Sequence, residues 1–281
     1  MTDEVAAIML TNPNTCGLFE KKILEICEIV HQKGGLVYMD GANMNALVGI
    51  AKPGEMGADV LHFNTHKTFS TPHGGGGPGA GPIAIKKMLS PFLPAPVLKK
   101  TGNTYGFDYN RPDSIGKIRS FYGNIGVLIR AYTYMKTLGA EGLRQVAETA
   151  VLNANYIKKK LQDHYHLPFN NDHCMHEVLF TDHKQKAYAK TLDIAKGLIE
   201  LGFHPPTVYF PLIVQGALLI EPTETESKET IDQFIEAMIM LSEKAEKGEW
   251  DLHAFPEKSF VRRVDEVQAA RKPILTWKKE N

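Results

Sequence analysis

Short apolar runs alternate with amphipathic stretches through the first third of the chain. Val5 to Leu10 (VAAIML) predicts a buried strand ending at the turn-like Thr11-Asn12-Pro13-Asn14. From about Glu20 to Lys33 the apolar positions Ile23, Ile26, Cys27 and Val30 recur at helical spacing, and Gly34-Gly35 stops the helix. Leu36 to Met39 predicts a second strand, closed by Asp40-Gly41. Val60 to Phe63 predicts a third, closed by Asn64-Thr65-His66-Lys67, and Pro82 to Ile85 a fourth. Strand, helix and strand joined by short connections imply a parallel sheet with right-handed crossovers.

The pattern then changes. Residues 86–122 are rich in Pro, Gly and Asn, and predict irregular chain wrapping a site or an interface. A helical region runs from about Gly126 to Leu161, broken near Gly139. A smaller α+β pattern follows: a strand over His176 to Phe180, a helix over Ala187 to Leu201 ended by Gly202, and a strand over Ala217 to Ile220. Ser227 to Gly248 predicts a helix with Ile231, Phe234, Ile235, Met238 and Leu241 on one face. Ser227 with Thr230 is half a capping box at its start. The weakly periodic tail from about residue 249 predicts packing across a surface. The fold expected is α/β, with a cofactor-binding large domain over 1–125 and a smaller C-terminal α+β domain, including a bridging helix, over 126–281.

Composition narrows the function classes. The 281 residues carry 32 basic and 32 acidic side chains, so the balance lacks the basic excess of nucleic-acid binders. With 43% hydrophobic and 23% charged residues the chain is not a disordered one. No apolar run approaches the ~20 residues of a membrane span. The acidic Met1-Thr2-Asp3-Glu4 lacks a signal-peptide layout, and three scattered cysteines, Cys16, Cys27 and Cys174, fit a reducing cytoplasm.

Three groups converge by topology. Asn12, Asp40 and Lys67 each lie just beyond the carboxyl end of a predicted parallel strand, where open α/β sheets bind ligands. Singly, Asn12-Pro13 and Asp40-Gly41 read as turns and Lys67 as a solvated cation. Together, with a glycine run after the lysine, they favour a site. A lysine amine beside a carboxylate fits imine chemistry, and pyridoxal phosphate supplies the aldehyde, with an Asp as the usual partner of its ring nitrogen. The run from His73 and Gly74 to Gly81 lets backbone approach an anion closely. It is neither a Walker loop, since the lysine precedes the glycines, nor a dinucleotide fingerprint, since a strand follows it. Alone, it reads equally as a flexible surface loop.

Two further clusters are weaker. Within Asp172-His173-Cys174-Met175-His176-Glu177, Cys174 and His176 share a strand face, but two ligands do not close a tetrahedral zinc site, so no metal is expected. The acids of Glu221-Pro222-Thr223-Glu224-Thr225-Glu226-Ser227 precede a helix, whose dipole favours them there.

Thr11-Asn12-Pro13-Asn14-Thr15, Tyr38-Met39-Asp40-Gly41-Ala42-Asn43-Met44-Asn45-Ala46, and Leu61 to Phe69 (LHFNTHKTF) followed by Pro72-His73 and the glycine run resemble one family. Cys174 to Glu177, Glu221 to Glu229 and Ala270 to Pro273 carry the same likeness. The family is glycine dehydrogenase (decarboxylating), the P-protein of the glycine cleavage system, most similar here to the second subunit of its two-subunit bacterial form, C-terminal portion. The resemblance runs nearly end to end. It implies a fold-type-I pyridoxal-phosphate transferase-like enzyme, with the cofactor covalent on Lys67 and Asp40 as the pyridinium partner. His66 would orient the lysine or shuttle protons. Asn12, Ala42, Thr65, His73 and Gly74 would line the pocket, and His176 and Glu221 are candidates for holding the substrate carboxylate. Glycine would lose CO₂ and its aminomethyl group would pass to the lipoyl arm of H-protein. P-protein subunit 1 would be a further partner, in an oligomer.

Family members are longer at the N-terminus, where the ring-stacking residue and much of the phosphate cup would lie, so the resemblance implies a poorly active portion of the enzyme. Two other functions remain open at this point: another pyridoxal-phosphate lyase or decarboxylase, and a non-catalytic fragment that assembles with a partner subunit.

Overall fold

In the computed structural model, which describes residues 1–2, 4–118, 121–169, 173–185 and 189–277, the first apolar rhythm folds as its spacing dictates. Helix α1 (Ile23–Gln32) buries Ile23, Cys27 and Val30. They pack against Val37 and Met39 of β2 (Leu36–Gly41) and Leu61 of β3 (Val60–Phe63). Burying each large aliphatic side chain stabilises the fold by about 1.5–3 kcal/mol before entropy is counted. Strand β1 (Ala7–Leu10) flanks β2 in parallel, with Leu10 opposite Met39. Strand β3 flanks β2 on the other side, also parallel, with Asp40 opposite His62. Strand β4 (Ile83–Ile85) closes the order β1-β2-β3-β4 and runs antiparallel to β3.

Two expectations for this region change. Strand β1 is not buried: Met9 is 68% exposed and Val5, ahead of the strand, is also exposed. As an edge strand it is covered on one face only, where Ile8 and Leu10 pack against the α1 cluster. Residues 86–122 are not simply irregular. They hold a 3-10 segment, Lys87–Phe92, and an antiparallel hairpin of β5 (Val97–Thr101) and β6 (Thr104–Asp108). The Gly102-Asn103 dipeptide between the strands is a hairpin signal that the surrounding Pro and Gly obscured.

Helix α2 (Ile125–Leu161) is broken at Gly139, whose φ of 66° and ψ of −173° are not helical. Packing divides the chain into two compact units. The first comprises Met1–Asn155, His173–Glu177 and Pro222–Glu224, and the second Tyr156–Asp172, Val178–Glu221 and Thr225–Asn281. The division therefore falls within α2, later than the 125/126 boundary drawn from the pattern, which coincides with the start of that helix.

The second unit is built on an antiparallel sheet of β7 (Val178–Thr181), β8 (Thr207–Val208) and β9 (Ala217–Ile220), in the order β7-β9-β8. Its core joins Phe180 and Leu218 with Ile194 and Leu198 of α3 (Thr191–Glu200) and Met238 and Leu241 of α4 (Lys228–Lys247). Ser227 caps α4 by accepting the Thr230 N–H at 3.1 Å. Helix α3 begins at Thr191, where Asp182 Oδ2 accepts both the Thr191 N–H and its hydroxyl at 3.0 Å. The expected start at Ala187 lies outside the described residues. The tail is held by two buried acids of α3. Asp193 Oδ1 meets His253 Nδ1 at 2.9 Å and an Arg263 guanidinium nitrogen at 2.8 Å, and Glu200 accepts the Glu257 and Lys258 N–H groups. Helix α5 (Glu266–Arg271) follows on that tail. Among the described residues no helix is long and apolar enough to cross a membrane.

One carboxylate fixes the amino-terminal edge of the first sheet. The Asp59 side chain, 1% exposed, accepts the Val37 N–H at 2.8 Å and pairs with His31 at 2.8 Å and Lys86 at 3.1 Å. Burial alone would push its carboxyl up; the hydrogen bonds from Val37, His31 and Lys86 outweigh burial and hold it below the ordinary value. Asp59→Asn should lower the unfolding free energy at neutral pH by about 1.5–3 kcal/mol, measured as a lower urea midpoint at unchanged slope. That deficit should shrink as the pH falls below the usual carboxylate range, because the native carboxylate then takes up its proton.

Candidate active site

Parallel pairing of β1, β2 and β3 brings their carboxyl ends to one edge of the sheet. Asn12 follows β1, Asp40 lies near the end of β2, and Lys67 follows β3. Each of the three is treated differently by its surroundings.

Asp40 is half-buried. Its Oδ1 accepts the Ala42 N–H at 2.9 Å and Asn64 Nδ2 at 3.0 Å, and lies 3.7 Å from His62 Nδ1. Its Oδ2 accepts no hydrogen bond among the described residues. The Lys67 side chain is exposed, and its backbone N–H closes a turn onto the Asn64 carbonyl at 3.0 Å. Asn12 is buried at 2% exposure, and its amide is engaged by the chain itself: Oδ1 accepts the Glu20 N–H at 2.9 Å and Nδ2 donates to the Glu20 carbonyl. It staples the turn after β1. Thr65 is likewise engaged, donating to the Ala80 carbonyl at 2.8 Å and accepting from Thr71 at 3.2 Å. It ties the lysine turn to the exit of the glycine run. Ala42 contributes its N–H to Asp40.

The run itself is exposed. Gly74, Gly75 and Gly76 take φ of 68°, 59° and 103°, a region that side chains with a Cβ rarely enter, so a backbone surface with no side chains forms after Lys67. His73 at its head packs edge-on to His66, with ring centroids 4.6 Å apart. Burial first, and then the charges of His73, Lys67 and His62, hold the His66 imidazole below its ordinary pKa.

His176 joins this group from far along the chain. The segment His173–Glu177 belongs to the first unit, where the Met175 N–H donates to the Gly17 carbonyl at 2.8 Å. A Cβ at Gly17 would sit 2.0 Å from the Glu177 carbonyl oxygen, so only glycine allows this approach. His176 is 1% exposed. Burial, and after it the charge of Lys67, lowers its pKa to about 4. Such an imidazole is neutral at pH 7 and offers a hydrogen bond, not a positive charge, to a carboxylate. Glu221 is exposed at the end of β9 and falls in the second unit. Asp172 of the weighed metal cluster lies outside the described residues. Sequence reasoning passed over Asn64 and His62; Asn64 stands three residues before the lysine, and His62 is opposite Asp40 in the sheet.

Comparison with known proteins decides the lineage. Residues 1–106 match the family model described as glycine cleavage system P-protein, and residues 146–259 match that of the glycine dehydrogenase C-terminal domain. The chain is 56% identical over 279 residues to the "Probable glycine dehydrogenase (decarboxylating) subunit 2" of Listeria innocua, covering 99% of this chain and 57% of that protein. The chain belongs to the glycine cleavage system P-protein family. It spans little more than half the length of the curated relatives it matches.

Solved structures agree on the fold. A crystal structure of glycine decarboxylase (P-protein), in inhibitor-bound form, superposes with a TM-score of 0.70 at 24% identity, covering 86% of this chain and 56% of that one. The cysteine desulfurase CsdA of Escherichia coli gives 0.64 at 18% identity, covering 87% of this chain and 61% of that one. The architecture expected from sequence, α/β of fold type I, is the one found.

Within this P-protein family chain, the buried histidine has a measurable consequence. A native pKa of about 4 against an ordinary 6.5 means that His176 must stay neutral while folded. Its contribution to stability is complete above pH 6.5 and is lost as the pH falls through 4, a total of about 3 kcal/mol. His176→Gln should not show that loss, so the difference between the two stability–pH curves should reproduce it. Histidine resonances followed by NMR should show His176 titrating closer to its ordinary value in Lys67→Ala, while still held low by burial.

Proposed function

We propose that this chain provides the Lys67–Asp40 half-site of a glycine-decarboxylating, pyridoxal-phosphate-dependent enzyme. The aminomethyl group left by decarboxylation would be transferred to the lipoyl arm of H-protein, in assembly with P-protein subunit 1. The observation that carries the reading is an exposed lysine amine and a carboxylate with one uncommitted oxygen, both at the carboxyl edge of parallel strands, with the glycine run directly after the lysine.

The residues fit the cofactor. Asp40 keeps Oδ2 available, Thr68 beside Lys67 buries a hydroxyl with no hydrogen-bond partner among the described residues, and Gly74 to Gly76 leave room for an anionic group against the backbone. When bound, pyridoxal phosphate supplies an aldehyde for the Lys67 amine and an electron sink for the pair released as the glycine carboxylate departs as CO₂. Lys67 would hold the cofactor through its amine. Asp40 would hold a proton on the ring nitrogen by a charge-assisted hydrogen bond. His66 and His176, both held toward the neutral form, can donate or accept a proton near Lys67 without adding positive charge beside it.

A desulfurase-like reading is less well supported. That chemistry needs a reactive thiolate, whereas Cys16, Cys27 and Cys174 are all buried. Burial first, and then Glu177 for Cys16 and Asp59 for Cys27, push two of these thiols above the ordinary value.

Borohydride reduction in the presence of pyridoxal phosphate, followed by peptide mapping, should place a single adduct on Lys67, absent from Lys67→Ala. Scattered labelling, or none, would overturn the assignment. In enzyme assembled with its partners, Asp40→Asn should slow glycine decarboxylation by roughly 10–150-fold, the loss of one hydrogen bond to a charged group. An unchanged rate would remove Asp40 from the mechanism.

A further inference from the structure

We infer that Asn64 is a positioning residue that sets the relation between Asp40 and Lys67, and so decides which carboxylate oxygen faces a bound ring nitrogen. The inference rests on the cofactor reading above and adds to it a residue that does not itself touch the cofactor.

Asn64 is the first residue beyond β3 and is 9% exposed. Its two ends do different work. The main-chain carbonyl accepts the Lys67 N–H at 3.0 Å and closes the lysine turn. The side-chain Nδ2 donates across to Asp40 Oδ1 on β2 at 3.0 Å. One residue therefore fixes both the turn that carries the amine and the carboxylate opposite it.

The other donors to Asp40 cannot replace it. The Ala42 N–H lies two residues along in Asp40's own turn, and so moves with it. His62 lies opposite Asp40 in register, but at 3.7 Å its Nδ1 is beyond hydrogen-bond length. Among the described residues Asn64 thus makes the cross-strand hydrogen bond to this carboxylate. With two donors on Oδ1, rotation of the carboxylate about Cβ–Cγ breaks both, and Oδ2 is left as the acceptor with lone pairs to spare. Without Asn64 the local Ala42 bond permits the two oxygens to exchange.

The test compares pyridoxal phosphate with its 1-deaza analogue, which has a carbon in place of the ring nitrogen. Binding to the full chain is followed by fluorescence, and attachment to Lys67 by borohydride trapping. The unsubstituted chain should prefer pyridoxal phosphate by about tenfold or more, the worth of a charge-assisted hydrogen bond. Asn64→Leu, similar in size but without a donor, should still attach the cofactor to Lys67 while losing most of that preference. A merely structural role would weaken both ligands alike and keep the ratio. A retained ratio in Asn64→Leu overturns the inference but leaves the cofactor reading standing. No Lys67 adduct in the unsubstituted chain overturns both.

A measurement without cofactor guards against misfolding of the variant. In the unsubstituted chain one Asn64 Nδ2 proton should exchange slowly with solvent and lie downfield, and Asp40→Ala should abolish both features. A rapidly exchanging amide at its ordinary shift would show that the cross-strand bond does not form, and would overturn the inference.

Discussion

The packing of one helical stripe onto one strand decides where the chemistry sits. Ile23, Cys27 and Val30 of α1 cover Val37 and Met39 of β2. Side chains alternate along a strand, so burying Met39 on that face turns Asp40 to the other. A one-residue slip of register would carry the carboxylate into the apolar cluster and Met39 into the site. The loss of apolar burial, together with the cost of burying a charge, forbids that slip. The parallel pairing of β2 with β3 then extends the same constraint to the turn that bears Lys67.

Around that frame the site is an arrangement of local turns. Ala42 and Asn64 hold one oxygen of Asp40, Thr65 holds the exit of the glycine run, and Asn12 holds the turn after β1. Electrostatics sets the character of the groups near Lys67. His66 and His176 are both desolvated and both feel the lysine charge, and each effect favours the neutral imidazole. A positive amine can therefore stand beside two histidines without accumulating like charge.

Legibility in the sequence follows the range of the interactions. The strands and helix of the first sheet were readable because their patterns repeat within ten residues or so, and because Gly34-Gly35 and Asp40-Gly41 mark their ends. The break at Gly139 and the span of α4 were readable for the same local reasons. The exposure of β1 was not, because strand composition does not distinguish an edge from a centre. The β5–β6 hairpin carried its Gly-Asn turn in plain view, yet the neighbouring prolines and glycines favoured irregular chain.

The order of elements, the delivery of Asp40 and Lys67 to the carboxyl edge of a parallel sheet, and the family resemblance all came from the sequence by itself. Local periodicity and turn residues suffice for the first two, and the quoted motifs carry the resemblance. Only the tertiary structure decided that Asn12 is engaged by Glu20, that Asn64 reaches Asp40 across 24 residues of sequence, and that a buried His176 feels the charge of Lys67. Those outcomes depend on which atoms meet once distant segments pack, and on how much water the packing excludes. Neither quantity is written in the spacing of residues along the chain.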